Sequence, residues 1–224
     1  MIYVTGDTHG DARRLSQSAL SRLREGDTLI VCGDFGFLWD GSAKEEKMLK
    51  DLGSRRYNIC FIDGTHENFK LLNEYDEDQW AHGRIRRISG NLRYLMRGEV
   101  YQLQDKKFFT FGGGESPDMA MRMGTGTWFR EEMPNREELR CGMENLRKAG
   151  FEVDYIFTHE PMQKTKEFLT PSGGSAALFT ALNTYFDEIG RQCRFKQWYF
   201  GSMHTDKRVS ARETAVFKQI IATE

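Results

Sequence analysis

The sequence predicts an α/β protein whose mixed β-sheets carry helices on their outer faces. Three observations lead there. Five short apolar runs, at 2–5, 29–32, 59–62, 155–158 and 198–200, are rich in Val, Ile, Phe and Tyr and do not alternate with charge, as expected for strands buried on both faces. Amphipathic segments with helix-terminating signals stand between them. A pair of runs at 99–104 and 107–111 around Asp105-Lys106 reads as a hairpin, which adds antiparallel pairing to an otherwise alternating chain.

The helical segments are punctuated. Asp11 opens a stripe of Leu15, Ala19, Leu20 and Leu23 with Gly26 beyond its end, and Ser42-x-x-Glu45 forms a capping box before Met48, Leu49, Leu52 and Gly53. Asn135-x-x-Glu138 precedes Leu139, Met143, Leu146 and Gly150, and Ser175 precedes Leu178, Leu182, Tyr185, Ile189 and Gly190. No repeat, low-complexity tract or linker divides the chain, so one domain over 1–224 is expected. Residues 112–134 stand apart: they hold glycines, Met119, Met121, Met123, Trp128 and Phe129 without sustained period, the composition of a lid or insertion or of an unstructured connection.

Composition narrows the function classes. The chain has 224 residues, 39% hydrophobic and 29% charged, with 32 Lys and Arg against 33 Asp and Glu for a formal charge of -1. Such a chain hides roughly 70–75% of its unfolded surface on folding, so no disulfide or structural metal is needed to hold a core. Near-neutral charge disfavours wholesale adhesion to nucleic acid or membrane. No run reaches the ~18 apolar residues of a membrane span. A strand begins at Ile2, leaving no room for a signal peptide, and a cytoplasmic location without a membrane partner is expected. Cys32, Cys60, Cys141 and Cys193 form no C-x-x-C pair and read as reduced, mostly buried thiols.

Each apolar run is followed by a ligand or an acid: Gly6-Asp7-Thr8-His9, Gly33-Asp34, Gly64-Thr65-His66-Glu67-Asn68, His159-Glu160 and Gly201-Ser202-Met203-His204. Four of the chain's five histidines fall in these positions. One Asp or His after a strand is commonly a cap or a turn former; five such loops converging beyond the strand ends point to a metal. His and carboxylate ligands suit zinc, iron or manganese, and a carboxylate between two cations can bridge them at the ~3.5–4 Å separation of phosphoryl-transfer sites.

The motifs GDTHG, GDFG, GTHEN, THEP and GSMH resemble, in order and spacing, the motif series of the calcineurin-like metallophosphoesterase superfamily over nearly the whole chain. The resemblance implies two mixed β-sheets packed as a sandwich and flanked by helices. It also implies Asp7, His9, Asp34 and His204 as ligands of one divalent metal, Asp34 as a bridge to a second that His159 also binds, and His66 as the catalytic acid. The implied chemistry is in-line attack on phosphorus by a metal-activated hydroxide, with His66 stabilising or protonating the departing oxygen. Loss of Asp34 would loosen both metals.

Two positions depart from the family pattern. Thr65 stands where the family has Asn, which serves the second metal and the phosphate, and Ser202 stands where it has His. The first site keeps four protein ligands and the second keeps two, so the second metal is expected to bind weakly, with Mn²⁺ favoured and Fe, Zn or Mg as alternatives. Thr65 remains the candidate substrate-binding position. Three outcomes are open: a two-metal phosphoesterase needing abundant Mn²⁺, a one-metal enzyme, or an impaired module of the same fold that binds a metal or a phosphorylated ligand for regulation.

The expected substrate is a phosphodiester or small phosphomonoester, nucleotide-like if Trp128 and Phe129 wall a pocket for a flat group. Glu160 and Asp206 flank ligand positions and read as solvated surface carboxylates. Arg84, Arg86, Arg87, Arg93 and Arg97 occur without an intervening acid and read as a solvated face, with a polyanion such as nucleic acid as the lesser reading. Cys141-x5-Arg147 has the spacing of a cysteine-phosphatase loop but lies inside a capped helix, where its amides are already committed. No G-x-S-x-G, Walker loop or H-E-x-x-H occurs.

Overall fold

The computed structural model describes residues 1–170 and 180–223. Two mixed sheets form. The first contains β1 (Ile2–Thr5), β2 (Thr28–Cys32), β3 (Asn58–Ile62), β4 (Glu77–Trp80), β5 (Gly83–Ser89) and β6 (Leu92–Leu95). The second contains β7 (Glu99–Leu103), β8 (Lys106–Phe111), β9 (Tyr155–Thr158), β10 (Gln197–Phe200), β11 (Lys207–Arg208) and β12 (Glu213–Ala215), after which β13 (Ile221–Ala222) returns to the first. Their orders are β13-β1-β2-β3-β6-β5-β4 and β11-β12-β10-β9-β8-β7. The central strands are parallel: Ile30 faces Val4 on one side and Cys60 on the other, and Ile156 faces Phe109 and Trp198.

Alternation along each strand explains why the apolar runs are continuous. On β2, Ile30 and Cys32 point into a layer shared with Tyr155, Phe157 and Tyr199 of the second sheet, so the two sheets pack face to face there. Leu29 and Val31 point the other way, toward Leu49 and Leu52 of α1 (Ala43–Gly53) and the leucines of 15–23. The outer face of the second sheet puts Phe109, Phe111, Ile156 and Trp198 against Leu146 of α4 and Leu182, Phe186 and Ile189 of α6. Short helices α2 (Phe69–Leu72), α3 (Met119–Thr125) and α5 (Gln163–Leu169) join the longer α4 (Arg136–Lys148) and α6 (Ala181–Gln192). The result is the two-sheet sandwich flanked by helices.

The caps work as their residue types dictate. Asn135 accepts the Glu138 amide at 2.9 Å while the Glu138 carboxylate accepts the Asn135 amide at 2.7 Å, closing the box at the start of α4. At Ser42 only half the box forms. Its hydroxyl accepts the Glu45 amide at 3.2 Å, whereas the Glu45 carboxylate collects the amides of Trp39, Asp40 and Gly41 at 2.7, 2.9 and 3.1 Å.

Three expectations need correction. The stripe opened by Asp11 is a run of turns rather than a helix, although Leu15, Leu20 and Leu23 are buried as the stripe required. Serine competes with the backbone there: the Ser16 hydroxyl donates to the Arg13 carbonyl and accepts the Ala19 amide. The last helix runs through Gly190 to Gln192 instead of stopping at it, and Ser175, expected to precede it, lies outside the described residues. Glu160 is buried, accepting Lys166 Nζ at 2.6 Å and Asn183 Nδ2 at 3.2 Å, while Asp206 stays exposed and gathers the amides of Phe217 and Lys218 at 2.8 and 3.0 Å.

The arginine-rich run forms strands β5 and β6, and its acids lie opposite in space. Arg84 pairs with Glu99 at 2.8 Å, Arg86 with Glu77 at 3.4 Å and Arg87 with Asp78 at 2.5 Å. Arg93 is buried and donates to Asn58 at 2.8 Å, and Arg97 is buried against Asp63 and Glu138. Cys32, Cys60 and Cys193 are buried and Cys141 is half-buried on α4, all as free thiols. Among the described residues no helix is long and apolar enough to cross a membrane.

Candidate metal centre

Parallel pairing of β1 with β2, of β2 with β3, and of β9 with β10 aligns their C-terminal ends within each sheet. The loops leaving those ends bring their side chains together. His9 Nε2 lies 3.2 Å from His204 Nε2, which lies 3.0 Å from Asp7 Oδ2. Asp34 reaches both ways, with Oδ1 3.7 Å from His159 Nε2 and Oδ2 3.9 Å from His9 Nδ1. His159 Nδ1 is 3.7 Å from Asp7 Oδ1.

Two ligand triads result, Asp7, His9 and His204 on one side and Asp7, Asp34 and His159 on the other, each with its ligand atoms within 4.8 Å of one another. The first opens to solvent at both histidines, while the second is wholly buried. Asp7 Oδ2 is buried, and although His204 Nε2 lies 3.0 Å away it makes no well-aligned hydrogen bond among the described residues, a costly state for a carboxylate oxygen that a cation relieves. Imidazole and carboxylate donors in this number fit a divalent first-row metal.

The electrostatics agree with that fit. Burial alone would pull the His159 pKa down, but the Asp34 and Asp7 carboxylates override it and raise it to about 9. The hydrogen bond to Asp34 raises His66, and the Asp7 carboxylate raises His204, while burial lowers His9. Against the opposing effect of its own burial, His159 and His66 hold Asp34 below the ordinary carboxylate range. The carboxylates therefore collect positive charge, which a metal can supply in place of protons. His9, Asp34, Ser202 and His204 all hold positive φ, between 43° and 50°. Such backbone costs of order 1–3 kcal/mol per residue and gathers at functional sites.

A family model described as calcineurin-like phosphoesterase matches residues 1–206. The chain belongs to this family. A comparison with curated proteins returned no match. In this chain the motif glycines answer to packing: a Cβ at Gly33, which also holds a φ of +90°, would collide with the His159 ring, and one at Gly201 would collide with the Asp7 carboxylate. The family typically binds divalent metals, and the two triads are candidate ligand groups for one.

The remaining motif residues have definite partners. Thr65 and His66 donate their amides to Asp34 Oδ1 at 2.6 and 2.8 Å, and the Thr65 hydroxyl engages His66 Nδ1 at 2.9 Å. His66 Nδ1 also meets Asp34 Oδ2 at 3.0 Å. The Ser202 amide donates to Asp7 Oδ1 at 3.2 Å, and its hydroxyl is buried without a hydrogen-bond partner among the described residues.

Sequence reasoning missed five contributors. Asp118, in the 112–134 segment, faces His66 Nε2 at 3.5 Å. That segment is ordered around a buried pair, Arg122 and Glu132 at 2.6 Å, and Arg122 also donates to the Thr65 carbonyl at 2.7 Å. Glu67 is buried and accepts the Phe35 amide at 2.7 Å, fixing the loop after Asp34. Phe217 stacks on the His204 ring at 4.8 Å. Only Glu67 carried a signal, its place inside GTHEN; the others are brought in by the fold.

A cavity of about 530 Å³ opens beside His9 and His66, walled by Phe37, Trp39 and Met48. Trp128 and Phe129, expected to wall a flat-group pocket, do not line it; Phe129 packs against Phe69 at 6.2 Å as part of the core.

Proposed function

We propose that this protein is a divalent-metal-dependent hydrolase of phosphodiesters or small phosphomonoesters, with Mn²⁺ its favoured ion. The observation that carries the reading is the meeting of two ligand triads at the strand ends, with His66 and an open cavity beside them. Asp7, His9, Asp34 and His204 would hold one ion, and Asp34 with His159 a second, more weakly held one. When bound, the ions supply Lewis acidity toward phosphate and a water acidic enough to serve as nucleophile near neutral pH.

The chain's own groups do the rest. Asp34 anchors Nδ1 of His66, which leaves Nε2 to carry the proton toward the departing oxygen. Asp118 holds that side of the ring from 3.5 Å and is the contact a phosphate ester would displace. Thr65 steadies the same ring through its hydroxyl, a supporting share of substrate binding.

Hydrolysis of bis(p-nitrophenyl) phosphate in excess Mn²⁺, with Asp34→Asn run beside the native protein, tests the reading. Turnover that disappears in the variant supports it. Equal traces from both proteins overturn it and leave a module that binds a metal or a phosphorylated ligand for regulation.

A further inference from the structure

The cavity beside the metal centre has features that the phosphate chemistry does not use. Trp39 is 38% exposed, and it is the sole exposed large hydrophobic residue that lines this cavity among the described residues. Its loop is held rigidly. The Glu45 carboxylate collects three successive amides, from Trp39, Asp40 and Gly41, and Asn68 Nδ2 donates to the Trp39 carbonyl at 2.6 Å. Asn68 lies two residues from His66, so the Trp39 backbone is tied to the loop that carries the acid. A backbone fixed in this way lowers the ordering cost of the loop when a ligand arrives.

Charged side chains line the same cavity, Lys44 together with Asp40 and Glu45. Lys44 is exposed, lines the wall and has no carboxylate within ion-pair distance among the described residues, whereas Glu45 and Asp40 beside it are occupied by backbone amides. Its ammonium is free to meet an anion. A volume of about 530 Å³ lies within the ~300–1,000 Å³ range of small-molecule sites and holds a mononucleotide-sized ester rather than a protein segment.

Resting on the hydrolase reading above, we propose that this cavity selects phosphate esters bearing a planar heterocycle and a second anionic group, of which a nucleoside diphosphate is the simplest example. The heterocycle stacks on Trp39 against Met48, the phosphate nearest the metal centre lies by His9 and His66, and Lys44 faces the second anion. Base stacking on an aromatic side chain is sequence-tolerant and contributes substantially to binding.

Equilibrium binding to the full chain, measured by calorimetry with Ca²⁺ in place of Mn²⁺ so that the esters are not consumed, tests this without requiring turnover. AMP is expected to bind about tenfold or more tightly than ribose 5-phosphate, which carries the same phosphate without the base. Trp39→Ala removes that difference and leaves ribose 5-phosphate affinity unchanged. Lys44→Ala removes an advantage of about threefold that ADP holds over AMP. Equal affinity for AMP and ribose 5-phosphate in the native protein, an equal loss for both in Trp39→Ala, or no millimolar binding of either overturns the proposal. The ratio stays readable in a protein that shows no hydrolysis, so failure of the pocket and failure of catalysis are told apart.

Discussion

The two triads share Asp7 yet sit in opposite surroundings. Asp7, Asp34 and His159 are buried to within a few per cent, wedged between the sheets, with glycines at 33 and 201 leaving no room for a larger residue. His9 and His204 are exposed, and His204 is steadied by Phe217 on one face. Burial fixes geometry before a metal arrives and excludes water from the ligands; exposure admits exchange and substrate. Each side offers three ligands, so the contrast lies in setting: the buried side is suited to hold a cation by preorganisation, the open side to exchange it.

Breaking what the triads have in common gives the largest effect. Asp7→Asn should lower turnover by about a thousandfold or more in saturating Mn²⁺, read as kcat/KM, because both triads lose a charge at once. The support behind the buried side comes next. Arg122→Leu leaves Glu132 buried and unpaired, and urea unfolding should show a loss of about 3–5 kcal/mol. His9→Ala and His159→Ala then separate the two sides: each should weaken one ion by about 10- to 100-fold in a Mn²⁺ titration while sparing the other. Asp118→Asn is the smallest. It should cut kcat by about tenfold with KM nearly unchanged, and Asp118→Glu should restore part of the loss.

The part of this contrast that local chemistry dictates was legible in the sequence. The five apolar runs became β1, β2, β3, β9 and β10 to within a residue at either end, because strands buried on both faces need continuous apolar side chains and glycine must follow where backbone meets ligand. The helix at 136–148 was equally legible from Asn135 and Glu138. Strands β4, β5 and β6 were not. Their arginines conceal a strand pattern until Glu77, Asp78 and Glu99 are seen across the sheet. The helix expected after Asp11 failed for the converse reason, since buried leucines at helical spacing can be delivered by turns when serines bond their own backbone and Arg14 donates to the Asp7 carbonyl at 3.0 Å.

At the site, the motif residues were legible as candidates because each lies within four residues of the end of its strand. Asp118, Trp39 and Arg122 could not. They approach the centre from a loop and a helix whose placement depends on long-range contacts, such as the hydrogen bonds from Arg122 to the Thr65 carbonyl and from Asn68 to the Trp39 carbonyl. The 112–134 segment shows the cost of reading composition alone: its exposed methionines at 121 and 123 signal a surface, while its buried Arg122 and Glu132 give it a fixed seat beside His66.

The most direct test of the paired-triad account is a Mn²⁺ titration followed by the electron paramagnetic resonance of the free ion, with turnover measured on the same samples. The account predicts two binding steps, a tight one and a weak one, with His159→Ala weakening only the weak step and Asp7→Asn, which removes the ligand the triads share, impairing both. A single step untouched by Asp7→Asn, or no binding by the native protein, would contradict it.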